Sequence, residues 1–361
     1  MKTLLSGLGA RRPGVLAFID LVQDIDVMLP VILAIRARDG LRLKVVVSRW
    51  LARESPRTAA LLAAHGFGFS YLPRRQVIEG RAPGLRGVDA VIAASESSHP
   101  AHAAGHALTL RAKAAGLKTY ALQHGFENVG LYGVEASAAS FASEVVFCWF
   151  PEAATPPGLS PETRSKLAHV GRPEVRAARA TGPGPRFDVG VFENLHWDRY
   201  GEADRRSFVE GLAAAAAALP QVRFLLRPHP AGGWADQVGH ELAQFDNITR
   251  ARAVETRSSS EGGASVVQGL RRVITTPSTV ALDAASAGAP VALATPGGAE
   301  YHPLPVLRTP QDWIAFASGG GFDRRTLDQF LARVLVAGDS APRIAEQLSR
   351  DLEGQRRRLH G

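Results

Sequence analysis

Four short polar clusters hold most of the residues in this chain that could do chemistry, and each follows an apolar run. Ser95-Glu96-Ser97-Ser98-His99 follows Val88–Ala94, and Gln123-His124-Gly125-Phe126-Glu127-Asn128 follows Lys118–Leu122. Arg227-Pro228-His229-Pro230 follows Val222–Leu226, and Thr275-Thr276-Pro277-Ser278-Thr279 follows Val273 and Ile274. The fourth cluster opens a helix, so Ser278 and Thr279 fall at or near its N-terminus. Backbone N–H groups there attract an anion, and the hydroxyls add donors. Asp283, about one turn further on, is placed to accept from a sugar hydroxyl. Together these groups read as a phosphate-and-ribose site. The plainer reading is that Ser278 or Thr279 caps the helix.

His229 stands between two prolines, which hold it in an extended turn. With Arg227 nearby, a rigid imidazole suits a phosphate; a turn histidine bonded to backbone is the alternative. His124 precedes Gly125, which permits a tight turn and close approach of a ligand. Its imidazole could take a proton from an acceptor hydroxyl. Glu96 could do the same, so the base is one or the other, and each is equally a loop residue satisfied locally. Glu300 and His302, beyond the apolar run Val291–Ala294, are further candidates for contacts in the same crevice, as are Gln123, Glu127 and Asn128. His99, His102 and His106 share a helix face, but nothing completes a zinc site, so no metal is expected.

These clusters must be held by strands and helices. Gly14–Asp20, Leu43–Ser48, Phe67–Leu72, Val88–Ala94, Lys118–Leu122 and Ser143–Phe150 read as strands. Helices at Asp24–Arg38, Ser55–His65 and Pro100–Ala115 alternate with them, and Gln76–Gly87 reads as loop. Ala177–Pro185, rich in Ala, Gly and Pro, reads as a linker. The pattern then restarts. Phe187–Phe192, Val222–Leu226, Ile248–Arg252, Val273-Ile274 and Val291–Ala294 are strands. Glu202–Ala218, Trp234–Gln244, Gly262–Leu270, Thr309–Ala317, Arg325–Ala337 and Pro342–Leu359 are helices. Alternation of this kind predicts α/β architecture: two Rossmann-like, doubly wound parallel-sheet domains facing across a cleft. The expected domains are 1–176, binding the acceptor, and 177–361, binding a nucleotide donor, with the last helix free to pack back on the first domain.

The chain has 361 residues, 45% hydrophobic, enough for two cores, and a formal net charge of +8. The charge favours anionic partners, including nucleotides and an anionic membrane surface. No nucleic-acid motif is present, so nucleic acid is not an expected partner. The single cysteine, Cys148, excludes an internal disulfide and fits a reducing compartment. No signal peptide or membrane span is legible, and a cytoplasmic protein, able to rest on the inner membrane, is expected. No P-loop, GxGxxG after the first strand, or GxSxG elbow occurs.

The motifs LQHG at Leu122–Gly125, RPHP at Arg227–Pro230 and TTPSTVALDAASAGAPV at Thr275–Val291 resemble those of the GT-B glycosyltransferase superfamily. The resemblance extends to the branch holding CDP-glycerol glycerophosphotransferases, His-Pro-motif sialyltransferases and Kdo transferases. It implies that His229, Ser278 and Thr279 hold donor phosphates, that Asp283 lies near the ribose, and that His124 is the base; Arg227 and Thr276 are expected at the same donor site. It implies a metal-independent transferase using a nucleotide-activated donor, CMP- or CDP-linked in preference to UDP. The acceptor would be a hydroxyl of a glycan or lipid-linked molecule in capsule or lipopolysaccharide synthesis. The sequence departs from the glycerophosphotransferases in having Leu122-Gln123 before the histidine and Phe126 after the glycine. Alternatives are a UDP-GlcNAc 2-epimerase-like enzyme, whose glycine-rich, glutamate-bearing turn is replaced here by Thr275–Thr279, and a non-catalytic nucleotide- or glycan-binding subunit.

Overall fold

The computed structural model describes residues 11–132, 139–174, 187–229, 232, 234–237, 239–251, 263–320 and 322–360. The expected linker at 177–185 and Pro230 lie outside the described residues.

The first lobe is a parallel sheet in the order β3-β2-β1-β4-β5-β6-β7. Its strands are β1 (Gly14–Ile19), β2 (Arg42–Ser48), β3 (Phe69–Leu72), β4 (Ala90–Ala93), β5 (Lys118–Leu122), β6 (Val145–Cys148) and β7 (Leu167–His169). The second lobe is a five-stranded parallel sheet in the order β10-β9-β8-β11-β12. Those strands are β8 (Phe187–Glu193), β9 (Phe224–Pro228), β10 (Ile248–Arg250), β11 (Leu270–Thr275) and β12 (Val291–Leu293). Both sheets run outward in two directions from their first strand. The strand order therefore reverses between β1 and β4 and again between β8 and β11, and ligands of open α/β sheets bind at such points. Every residue of β1 and β4 is buried, as expected of strands covered on both faces.

The helices that position the site are α1 (Asp24–Arg36), α2 (Arg49–Glu54), α3 (Pro56–Ala64), α4 (Arg74–Ile78), α5 (Ala103–Ala114), α6 (Glu202–Ala218), α7 (Thr279–Ser286), α8 (Pro310–Ser318), α9 (Arg324–Val334) and α10 (Ser340–His360). Several depart from the sequence reading. The segment from Gln76 was expected as loop, yet Arg74–Ile78 is helical. Arg74 binds the Asp20 carboxylate with Nε at 2.8 Å and Nη2 at 2.8 Å, and its guanidinium lies 4.4 Å from the centre of the Trp50 ring. A buried carboxylate at the end of β1 needs such a partner; local composition carries no sign of that demand. The Ser55 helix is preceded by a second one, α2, capped by Ser48. The strand at β7 was also missed, being three residues long.

The last helix packs on the first lobe. Ile344, Leu348 and Leu352 recur at steps of four and are buried, and α10 lies against α1. Tyr120 donates to Asp351 at 2.9 Å, and Gln355 donates to the Gly116 carbonyl at 3.1 Å. The lobes are thus joined by two crossings, one leaving β7 and one entering α10. At the crossing, the Val336 N–H donates to the Trp149 carbonyl at 2.8 Å. A cavity of about 360 Å3 opens there, beside Arg172, Leu331 and Val336. No described helix is long and apolar enough to cross a membrane.

Candidate active site between the lobes

The strand-end loops of the two lobes touch. The Phe126 N–H donates to Thr279 Oγ1 at 2.9 Å, across the cleft. The Phe126 ring is fully buried among Tyr301, Phe330 and Tyr132, with ring centres 5.0, 5.8 and 5.8 Å away. Tyr301 and Phe330 belong to the second lobe, so the HisGly turn of the first lobe is anchored in the second. Beside it Arg199 Nη2 donates to Glu127 Oε2 at 2.6 Å and to the Pro277 carbonyl at 3.2 Å. Burial pushes the Glu127 carboxyl up, while Arg199 pulls it back.

Asn194–Tyr200, the loop after β8, was not singled out from the sequence, and it interlocks with the β11 turn. The Asn194 N–H donates to Thr276 Oγ1 at 3.0 Å, and Asn194 Nδ2 donates to the Pro277 carbonyl at 2.9 Å. The His196 and His229 rings are tilted against each other, with centres 5.0 Å apart and planes at 30°, and Trp197 lies 6.2 Å from His229. The signal was available: this loop follows the first strand of the second half, which is where the strand order reverses.

His229 and Ser278 stand at the ends of β9 and β11, with only β8 between them, so about 10 Å separates their strands. The His229 N–H donates to the Glu193 carbonyl at 2.8 Å. Arg227 is half-buried at the end of β9. Ser278 caps α7, accepting from the Val280 N–H at 3.3 Å, and shares a hydrogen bond of 3.0 Å with Thr275. Thr276 is buried and spent on the Asn194 loop.

Asp283 has a partner other than a sugar. Its Oδ1 lies 2.5 Å from Arg172 Nη1, and the carboxylate is buried on the side of the crossing segment. Burial raises its carboxyl and Arg172 opposes that. The ribose contact expected from spacing therefore has no open carboxylate in this geometry.

Glu96 is corrected as a candidate base. Its side chain is fully buried, Oε1 accepts from the Ala142 N–H at 3.0 Å and pairs with His106 Nδ1 at 2.8 Å, and Oε2 accepts from the Ser143 N–H at 3.2 Å. It braces a loop, and no oxygen faces the cleft. Gln123 and Asn128 are likewise scaffold. Gln123 accepts from the Trp149 N–H at 2.8 Å and donates to the Gly125 carbonyl at 3.0 Å. Asn128 accepts from the His124 N–H at 3.0 Å. Both amides tie down the HisGly turn, which is why polar residues fill buried positions there. Glu300 is half-buried near Glu127, and His302 is exposed, its Nδ1 3.1 Å from Arg333 Nη1.

His124 has one ring nitrogen bonded to backbone. Nδ1 donates to the Ala94 carbonyl at 3.2 Å, which leaves Nε2 as the acceptor nitrogen of a neutral ring. Its ring lies edge-on to His102 at 5.1 Å, and His102 bonds Ser97 at 2.7 Å. Burial pushes His124 and His229 down to about 4 and His102 to about 3. A consequence for stability follows from the sign of these shifts. Each of the three binds its proton less readily folded than unfolded. Their contribution is complete above the unfolded value near 6.5 and is lost as pH falls toward 4. Asp24, whose carboxyl burial raises to about 7, has the opposite sign and offsets one of the three rings, so chemical denaturation should show a net loss of stability from pH 6.5 to 4.5; a flat profile would mean the rings are solvated.

Close packing shapes the first lobe's strand ends as well. A Cβ on Gly105 would lie 2.2 Å from the Ser95 carbonyl oxygen, so α5 meets the β4 loop backbone to backbone. Asp24 completes that region: it binds Ser95 Oγ at 2.5 Å and accepts from the Asp20 and Leu21 N–H groups, and burial raises its carboxyl to about 7. Among the described residues no group of three or more His, Cys, Asp or Glu could hold a metal ion.

No family model and no curated protein sequence matches the chain. Solved structures do. The chain is similar to S. aureus MnaA, solved with UDP, at 13% identity and a TM-score of 0.62, covering 94% of this chain and 97% of that one. It is similar to the UDP-GlcNAc 2-epimerase of Neisseria meningitidis bound to UDP-GlcNAc, at 12% identity and TM-score 0.60, covering 94% and 100%. It is also similar to the calicheamicin glycosyltransferase CalG4, at 14% identity and TM-score 0.55, covering 95% and 99%. Where these structures name a nucleotide, it is UDP or UDP-GlcNAc, which overturns the expected preference for CMP or CDP. Nothing in them singles out the glycerophosphotransferase, sialyltransferase or Kdo branch. At these identities the likeness is one of architecture: two parallel-sheet Rossmann-like lobes facing across a cleft, the GT-B fold.

Proposed function

We propose that the cleft binds a UDP-sugar and that the chain acts on it as a nucleotide-sugar enzyme, with 2-epimerisation as the first reading. One observation carries this: the turn bearing a neutral imidazole is bonded to the first turn of α7 in the opposite lobe. A proton acceptor is thereby held beside the start of a helix, where N–H groups favour a diphosphate. Inversion at C2 needs the C2 proton to pass to a base as the bond from C1 to the diphosphate oxygen breaks, giving a glycal and UDP; UDP then adds back at C1 as a proton returns to the opposite face of C2. His124 supplies the acceptor. The α7 N-terminus, Ser278, Arg227 and His229 hold the diphosphate and stabilise that charge. Burial holds His124 low while the cleft is empty, and the negative charge of a bound diphosphate draws it back toward neutrality, where a base works best. Fixed dipoles and arginines do this without a metal.

The fold supports this reading, since its matches include two UDP-GlcNAc 2-epimerases solved with UDP-GlcNAc. Transfer of the sugar to a glycan or lipid-linked hydroxyl is the second reading. It is favoured by the turn Thr275–Thr279, which offers hydroxyls and no carboxylate. The net charge of +8 suits an acidic acceptor or an anionic membrane surface.

The test uses UDP-GlcNAc alone in deuterated buffer. Epimerisation predicts deuterium at C2 and the 2-epimer as product, with His229→Ala losing most of the turnover while melting unchanged. UDP raising the melting point without exchange at C2 moves the assignment to transfer. Absence of any UDP effect on melting rejects both.

A further inference from the structure

The Arg199–Glu127 pair has a property that a merely structural ion pair lacks: its two halves come from opposite lobes and meet at the anion seat. Arg199 leaves the loop after β8, and its guanidinium reaches the carbonyl of Pro277, the residue before the cap of α7. Its charge therefore stands at the helix start, where the proposed diphosphate would lie. Glu127 leaves the HisGly turn of the first lobe and puts a carboxylate on that guanidinium at 2.6 Å. The arginine side chain is 45% exposed, so a ligand can reach it. The carboxylate side chain is 22% exposed, and burial raises its carboxyl despite the arginine. A carboxylate and a phosphate make the same demand on a guanidinium: two oxygens in a plane facing the fork.

The surroundings are built for more hydrogen bonds than they make. Asn194 is buried, its amide nitrogen is anchored to the same Pro277 carbonyl, and its Oδ1 has no hydrogen-bond partner among the described residues. Neither ring nitrogen of His196, on the same loop, has one. An acceptor and two imidazole nitrogens without partners beside a cation and a helix start are what a polar ligand would satisfy.

We infer that Glu127 is an internal stand-in for the nucleoside diphosphate: it occupies Arg199 in the empty cleft and surrenders it when a diphosphate binds. This rests on the proposed UDP site and adds to it a positioning residue and a reason for the two lobes to be latched without ligand. Arg199 then exchanges one anion for another, so the net cost of binding includes breaking the latch. Phe126 is not exchanged, because its ring stays buried in the second lobe, and the HisGly turn keeps its place while Glu127 swings away.

The experiment measures UDP and uridine binding by calorimetry to the wild type, Glu127→Gln, Arg199→Ala and the double variant. Glutamine keeps the shape of Glu127 and removes its charge. E127Q is expected to bind UDP about tenfold tighter, the scale of one partly buried charge pair no longer competing. It should leave uridine unchanged, since uridine carries no phosphate. Arg199→Ala should bind UDP about tenfold more weakly or worse. In that background the E127Q gain should vanish, because the arginine it frees is gone. Unchanged or weaker UDP binding by E127Q overturns the stand-in while leaving the UDP site intact. A matching gain for uridine overturns it too, because that would be steric opening. Failure of the wild type itself to bind UDP removes the site and the latch together.

Discussion

Replacing His124 with asparagine is expected to lower turnover by about 100- to 10,000-fold, the usual contribution of a positioned base, while UDP affinity stays within about threefold of wild type. Asparagine is the informative change. Its amide nitrogen can replace Nδ1 as the donor to the Ala94 carbonyl, so the turn keeps its anchor. What it lacks is the acceptor nitrogen Nε2. Loss confined to kcat, with KM kept, would mark an interaction made only as the proton moves. The acid limb of the wild-type pH profile, expected near the His124 value of about 4 in the free protein, should vanish in the variant. If turnover is kept, the base lies elsewhere and the imidazole is only part of the row formed with His102. A parallel loss of UDP binding would instead make His124 a ligand of the nucleotide.

Phe126→Ala is expected to destabilise the chain by about 3–5 kcal/mol, the range for truncating a fully buried phenylalanine. The effect should fall on the joint between lobes rather than on either core. Phe126 leaves the first lobe's turn and is enclosed by Tyr301 and Phe330 of the second, so its removal leaves a void at their contact. Urea unfolding followed at two probes should then separate into two transitions where the wild type shows one. Phe126→Leu should recover much of the loss, since it refills part of the space. A cost below about 1 kcal/mol would show that the lobes are held by α10 and the crossing segments, and that the turn merely rests on the second lobe.

Residue order alone determined the architecture, because it rests on local signals. Apolar runs such as Val15–Ile19 and Val91-Ile92, each closed by a polar cluster and followed by a helix, specify parallel strands with loops at one end. That was enough to place His124, His229 and Ser278 at strand ends, and to predict two facing lobes. The tail Pro342–Leu359 was likewise legible as the last helix.

Only the tertiary structure decided which polar residues remain available. Glu96 and His124 look alike in sequence, each a proton acceptor beyond a strand. The fold gives Glu96 two backbone N–H groups and His106, and leaves His124 one nitrogen to use. Asp283 has the spacing of a ribose ligand, yet Arg172, 111 residues away in the chain, takes its carboxylate. Arg199 and Glu127, 72 residues apart, form the latch through contacts that no local pattern encodes. The physical reason is the same in each case. A buried charge must be paired, its partner comes from wherever the chain returns, and periodicity reports which face is buried but not who arrives there.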